Sequence, residues 1–536
     1  MTVVADFVRQ RRAATVVAAL VLLVIAVVAL RSCGSEDTAP ATGSEAVVPA
    51  DALVYVHLST ARERPAVKRA TELVEAFPSL PRLRDDLLGR IAAAGGPGVS
   101  FERDVEPWLG DEAALALLNA RGSTAGSLIV LAVSDRAKAE RFLSRVAGTS
   151  AGTDHRGTKL RTFGNVSTAF VGDDLVIGPG ASVREAIDAH GGRSPSLARS
   201  GTYRRAVRTL PADRVADVYV SPDGVNRLLA PQAGALGVAG VLLRRPGLRG
   251  AAISLSPRAG GAALRVHSIV DPKAARAAGP PAKAFTPALL DDVPKGAVAY
   301  LGITRLDEAV KGLIGLSAAG GAQGARVARL LRRTQTDLAR RTGVDLATDV
   351  IPLFQGETAL WLAPAIPAPI LTIITATRDE QATREAFAKL QEPLAKLFAP
   401  ASTGAGQTPV FQERTVDGQQ AFTLRLGPGA ELNYAVFDRR LVISTSLQGI
   451  RAVKGSGGSL PDTGPFKATL GDRPKEVTSL LFLDFSELLT LGERTGLSDS
   501  RTYLQVRDDL KKVRAVGASA TAGETESTTE LFLDIP

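Results

Sequence analysis

The stretch DVEPWLGDEAALAL runs from Asp104 to Leu117, and DVIPLFQGETALWL runs from Asp349 to Leu362. The offset is 349 − 104 = 245 residues. Other segments repeat in the same order. VVPADALVYVHLS (Val47 to Ser59) matches DVPKGAVAYLGIT (Asp292 to Thr304) at the same offset. STAFVGDDLVIGPGASVREAI (Ser167 to Ile187) resembles NYAVFDRRLVISTSLQGIRAV (Asn433 to Val453) at an offset of 433 − 167 = 266. RVADVYVSPDGVNRLL resembles EVTSLLFLDFSELLTL. Offsets that change only between blocks belong to loops, where insertions are tolerated. The reading is two tandem copies of one module, residues 47–271 and 290–536, joined by a Pro- and Ala-rich linker over 272–289.

Within a copy, ALVYVHLS, EAALALLN, SLIVLAVS and VADVYVS carry the β-branched and alternating residues of strands. Pro65 to Ala94 shows helical spacing broken by Pro78 and Pro81, which predicts two helices. Ser134-Asp135 can cap the helix that follows. VSTAFVGDDLVIG predicts a hairpin turning near Gly172-Asp173, and AAISLS with ALRVHSIV predicts another. Strands and helices mixed irregularly with hairpins give an α+β fold with largely antiparallel sheets. The residues leave open whether the copies fold separately or share one sheet.

The N-terminus decides the expected location. Ala13 to Leu30 is apolar except for Thr15. Its 30 − 13 + 1 = 18 residues would span roughly 27 Å as a helix, close to the hydrocarbon thickness of a bilayer. Arg9, Arg11 and Arg12 precede the run. The positive-inside rule therefore predicts a cytoplasmic tail (1–12), a transmembrane signal anchor (13–30), a polar tether (31–46) and an extracytoplasmic bulk. A lipidated Cys33 competes with this, although Arg31 suits a lipobox poorly; a buried soluble helix is the third reading. With a single Cys, no intramolecular disulfide can form.

The phrases VPADALVYVHLS, VEPWLGDEAALAL, VSDRAKAERFL and FVGDDLVIG together resemble the domain of unknown function 3352 family. The Pro107-Trp108-x-Gly110 block is the most specific part of the likeness. In the second copy Leu353 replaces Trp108 and Gly356 is shifted one place from Gly110. The resemblance implies a bacterial envelope protein with an N-terminal membrane segment. It brings no activity, cofactor or catalytic residue.

The local chemistry is sparse. GTSAG (Gly148 to Gly152) fits a nucleophile-elbow pattern, but a helix is expected before Ser150 and a loop after it, the reverse of an elbow. Gly178-Pro179-Gly180 weakly resembles a dinucleotide loop; a strand-to-helix turn with a Ser cap explains it better. Asp104, Glu106, Asp111 and Glu112 could bind a metal or share acid/base work, yet only Asp104 and Glu112 have counterparts, Asp349 and Glu357. A turn role covers them: Asp caps, Pro107 fixes φ, and Trp108 packs under the next strand. His57, His155, His190 and His267 are isolated in sequence and do not recur in the second copy. No catalytic, cofactor-binding or metal-ligating residue is assigned, and enzymatic activity is left open. The formal charge of +9 comes from scattered Arg with no nucleic-acid-reading motif.

Three functions follow as expectations. The first is binding or scaffolding in the envelope, with an envelope protein, lipid or anionic polymer as partner. The second is a carrier or chaperone for an apolar envelope molecule, with a continuous apolar cavity near Val225 to Leu243, within the apolar stretch Gly224 to Arg245. The third is a hydrolase with a dispersed site, in which two or more carboxylates, or His with a carboxylate, converge in a cleft.

Overall fold

VYVHLS makes strand β1 (Val54–Ser59), and every residue of it is buried, because both faces of the strand are covered. The computed structural model describes residues 39–79, 101–118, 126–147, 151–163, 166–229, 247–278, 282–306, 340, 344, 350–366, 368–397, 409–427, 430–455 and 457–536. The apolar run 13–30, Cys33, Ser150, Asp349 and residues 230–246 lie outside them. Among the described residues no helix is long and apolar enough to cross a membrane.

The first half continues with β2 (Leu109–Leu117), β3 (Ser127–Val133), β4 (Ala151–His155), β5 (Thr158–Phe163), β6 (Val166–Val171), β7 (Asp174–Gly178), β8 (Ala216–Val220), β9 (Leu248–Arg258) and β10 (Gly261–Val270). The second half carries β11 (Ala299–Thr304), β12 (Glu357–Ala363), β13 (Ile370–Ala376), β14 (Gln412–Val416), β15 (Gln419–Gly427), β16 (Ala430–Phe437), β17 (Arg440–Ser444), β18 (Ser479–Asp484), β19 (Ala515–Ala522) and β20 (Glu526–Asp534). All belong to one 20-stranded sheet. Every pairing among these strands is antiparallel.

From outer edge to centre the first half runs β4-β5-β6-β7-β3-β2-β1-β8-β9-β10. The second runs β14-β15-β16-β17-β13-β12-β11-β18-β19-β20. Adding ten to each label of the first order gives the second. Registers also correspond at the 245 offset: Ser59 faces Glu112 as Thr304 faces Glu357. The halves meet where β10 pairs with β20, from Gly261 opposite Asp534 to Ile269 opposite Glu526.

The helices are α1 (Pro65–Ala76), α2 (Arg136–Ala147), α3 (Gly180–His190), α4 (Gly201–Val207), α5 (Pro272–Ala278), α6 (Glu380–Leu397), α7 (Leu447–Lys454), α8 (Gly464–Leu470), α9 (Phe485–Arg494) and α10 (Arg501–Leu510). Period-2 alternation sends Tyr55 and His57 to one face and Val54, Val56 and Leu58 to the other. Val183, Ile187, Tyr203 and Ala206 of α3 and α4 pack on the Tyr55 face. Ala66 and Val67 of α1 pack with Val215 and Leu255, and Ala139 and Leu143 of α2 with Trp108. In the second half Ile450 and Phe466, of α7 and α8, join Tyr300, while Phe387 and Leu390 of α6 pack on Tyr434 and Leu441. Helices thus cover both faces of an antiparallel sheet, which is why its strands read as apolar runs as often as alternations.

Several local expectations are met by different atoms. Asp135, not Ser134, caps α2 by accepting from Lys138 N at 3.0 Å; the Ser134 hydroxyl donates to Leu109 O. The N-cap of α3 is Pro179, with no side-chain cap, and Ser182 is buried inside the helix. This corrects the expected Ser cap. Part of the expected linker, Pro272–Ala278, is helical and is capped by Asp271 at Lys273 N and Ala274 N. The shifted glycine has a steric reason. A Cβ on Gly110 would stand 3.1 Å from the Ala132 carbonyl carbon, and one on Gly356 would stand 2.5 Å from Ala376 O. The β2–β3 register slips between Leu109 and Ala113, so the close approach falls one place earlier in the first half.

Candidate functional site

The densest polar chemistry in the described residues lies under residues 39–46, on the Tyr55 face of β1. Register sets it up. His57 stands opposite Asp217 of β8, and Ser59 opposite Glu112 of β2. His57 Nδ1 lies 3.0 Å from Asp217 Oδ1, and its Nε2 lies 3.0 Å from Ala41 O and 3.6 Å from Glu112 Oε1. Arg214 Nε donates to the same Asp217 oxygen at 2.7 Å. Glu112 Oε1 accepts from Ser44 N at 3.0 Å and from the Ser44 hydroxyl, which also bonds the Tyr55 hydroxyl at 2.7 Å. His57 is 1% exposed, Asp217 3% and Glu112 4%.

A carbonyl and a carboxylate are both acceptors, so the arrangement favours a ring that donates from both nitrogens, the imidazolium. Burial pulls its pKa down, but the bond and charge of Asp217, the Glu112 charge and the Ala41 carbonyl outweigh burial and raise it above the ordinary value. Burial pushes Asp217 up; His57 and Arg214 reverse that and hold it below the usual range. Burial raises the Glu45 carboxyl, whose Oε2 is buried and has no hydrogen-bond partner. His57 is isolated in sequence, and strand register brings it to Asp217 and Glu112.

The second half keeps one element of this arrangement. Glu357 Oε1 accepts from Leu289 N at 2.9 Å and Oε2 from Ala288 N at 3.1 Å. Glu112 and Glu357 therefore do the same work. Each holds the first N–H groups of a short 3-10 turn, Ser44–Ala46 or Ala288–Asp292, that leads toward the half's first strand. The positions of His57 and Asp217 are occupied in the facing β11–β18 pair by Gly302 and Leu480. Tyr300, the counterpart of Tyr55, has its hydroxyl buried without a partner.

The other sequence candidates do not gather here. Asp104 is buried beside Arg145 (2.7 Å) and Arg103 (3.2 Å), and its backbone carbonyl, not its side chain, takes the Trp108 indole N–H at 2.7 Å. Trp108 packs against Phe142 of α2, with ring centroids 5.7 Å apart. Glu106 pairs with Arg62, and Asp111 offers its carbonyl to Thr60 N. His155 bonds Asp188 at 3.2 Å, and His267 bonds Thr528 Oγ1 at 2.9 Å across the β10–β20 seam. β4 begins inside the GTSAG motif, at Ala151 directly after Ser150, in place of the expected loop. The Gly178–Gly180 turn joins β7 to α3 and stacks on Ser127 O, where a Gly178 Cβ would not fit. Val225 is packed in the core of the Val56 face, and the rest of the apolar stretch from Ala230 on lies outside the described residues. Among the described residues no group of three or more His, Cys, Asp or Glu could hold a metal ion.

His57 and Asp217 are the kind of convergence a hydrolase would need, but the Ser44 hydroxyl is bonded to Glu112 and Tyr55 and not to His57. Base and hydroxyl are not in contact, and the group is sealed beneath its own chain. What the arrangement does is hold residues 41–44 onto the sheet.

The family described as Protein of unknown function (DUF3352) matches residues 13–534, and the chain belongs to it. No curated protein matches the chain. Solved structures of TP0453 in crystal forms III and I are similar to 43% of this chain, at 12% and 13% identity with TM-scores of 0.25 and 0.27, and the match covers 80% and 79% of those chains. A likeness that slight bears on neither fold nor role.

Proposed function

We propose that the chain is a single-pass membrane protein of the bacterial envelope. Its two copies of one module form an extracytoplasmic platform for binding or scaffolding. The observation that supports this is the clamp on the entry segment. Pro40 is buried and Ala41 and Ser44 are bonded to the sheet. Leu30, the last residue of the apolar run, is only 40 − 30 = 10 residues earlier. Ten extended residues reach about 35 Å at most, so the sheet rides close to the bilayer and does not drift on a long leash. The seam between β10 and β20 makes both copies one body, so a single anchor positions the whole platform. Cys33 falls within the short connection, and a lipid on it would give the same placement.

Topology is tested with an impermeant maleimide on intact cells, in a Cys33→Ser background. A cysteine at exposed Arg193 should label without permeabilisation, and one at Thr2 only after it. The opposite pattern overturns the proposal.

A further inference from the structure

The second half carries a groove of about 560 Å³ at the corner where β11 ends, β12 begins and β13 ends. Lys283, Arg305 and Arg378 line it with Thr304, Gln355 and Glu357. Among the described residues, Lys283 and Arg378 form no ion pair and no side-chain hydrogen bond. The one carboxylate in the wall, Glu357, accepts from Ala288 N and Leu289 N and, among the described residues, forms no ion pair with Lys283 or Arg378. Arg305 has φ +54, in the left-handed region. The other described non-glycine residues there, Arg156, Asp417, Asp438 and Arg439, sit in two-residue hairpin turns; Arg305 is in no such turn and follows β11 at the groove corner. The corresponding corner of the first half differs. Thr60 follows β1 there, with its hydroxyl on Gly110 O, and residues 41–44 close over Glu112. Among the described residues, the first-half corner shows no such cationic groove.

We propose that this groove binds a phosphate ester of about sugar-phosphate size, with Lys283 and Arg378 as its charge-bearing contacts. Lysine acts as a point charge and arginine as a fork for two oxyanion oxygens. The volume is in the range of small-molecule sites. The inference supplies a ligand class for the binding role above, and it rests on that reading only for the side of the membrane on which the ligand is met. The test is therefore run on the full chain in neutral detergent, where topology plays no part.

Calorimetric titration with inorganic phosphate and with glycerol 3-phosphate at constant ionic strength should give saturable binding. Lys283→Gln with Arg378→Gln should weaken it at least tenfold, and Lys138→Gln with Lys396→Gln, which removes the same charge elsewhere, should leave it unchanged. Equal weakening by both pairs, or no saturable binding, overturns the proposal. Micelles containing phosphatidylglycerol that compete with phosphate identify a lipid headgroup as a source; absence of competition assigns the site to soluble esters. Should the double variant not fold, acylation of Lys283 in the unmodified chain decides. Protection by phosphate supports the site and equal reactivity contradicts it.

Discussion

His57 and Asp217 face each other across β1 and β8, with Nδ1 and Oδ1 3.0 Å apart and both side chains sealed from solvent. Removing one partner of a buried ion pair leaves the other uncompensated. Asp217→Asn should cost about 3–5 kcal/mol, measured by chemical denaturation. His57→Gly with Asp217→Leu installs the residues that the second half holds at the matching pair. The double variant should lose less than the sum of the two single changes, because neither His57 nor Asp217 is then left buried without the other. Additive losses would mean that the pair is not coupled.

The same pair sets a pH window. His57 has its folded pKa raised above 6.5, so its contribution is full below 6.5 and is lost as pH climbs through the folded value. Asp217 is lowered below 3.8, so its contribution is full above 3.8 and is lost as pH falls through the folded value. The advantage in thermal midpoint of the unmodified chain over His57→Gln should be largest between those limits and shrink as pH rises through the folded His57 value. A difference that grows with alkalinity would contradict the imidazolium.

Glu112 and Glu357 each hold a segment end and should act locally. Glu112→Ala should raise amide exchange at Ser44 and its neighbours and leave Ala288 and Leu289 unchanged; Glu357→Ala should do the reverse. Exchange that spreads through the whole sheet in either variant would assign them a different role.

Trp108 is 2% exposed between α2 and the sheet. Trp108→Ala should cost about 3–5 kcal/mol. Gly356→Ala, whose Cβ would meet a backbone oxygen, should cost more than Gly110→Ala, whose nearest neighbour is the Ala132 methyl group.

Local structure was legible where it is made by neighbours in the chain. Alternation and β-branching located β1, β2 and β3, and Gly172-Asp173 marked the turn between β6 and β7. The α+β class and the antiparallel pairing followed from the same signals. What sequence could not place is what register creates. His57 and Asp217 are 160 residues apart, and only the β1–β8 alignment brings them together. A signal was nonetheless present. VYVHLS carries one His and ADVYV one Asp in a buried apolar strand, and a charge there needs a partner. The common sheet was equally hidden, because ALRVHSIV and ESTTELFLD read as ordinary strands and nothing local says that they pair with each other. The caps at Asp135 and Pro179 show a third limit: adjacent candidates in a turn compete, and backbone geometry picks one.

The central claim is that both halves share one sheet through β10 and β20. Hydrogen–deuterium exchange of the full chain tests it most directly. The account predicts slow, matched exchange along Ala263–Ile269 and Ser527–Leu533, as slow as in β1. Fast exchange in either strand, as at the free edges β4 and β14, would mean that the halves are separate bodies and would contradict it.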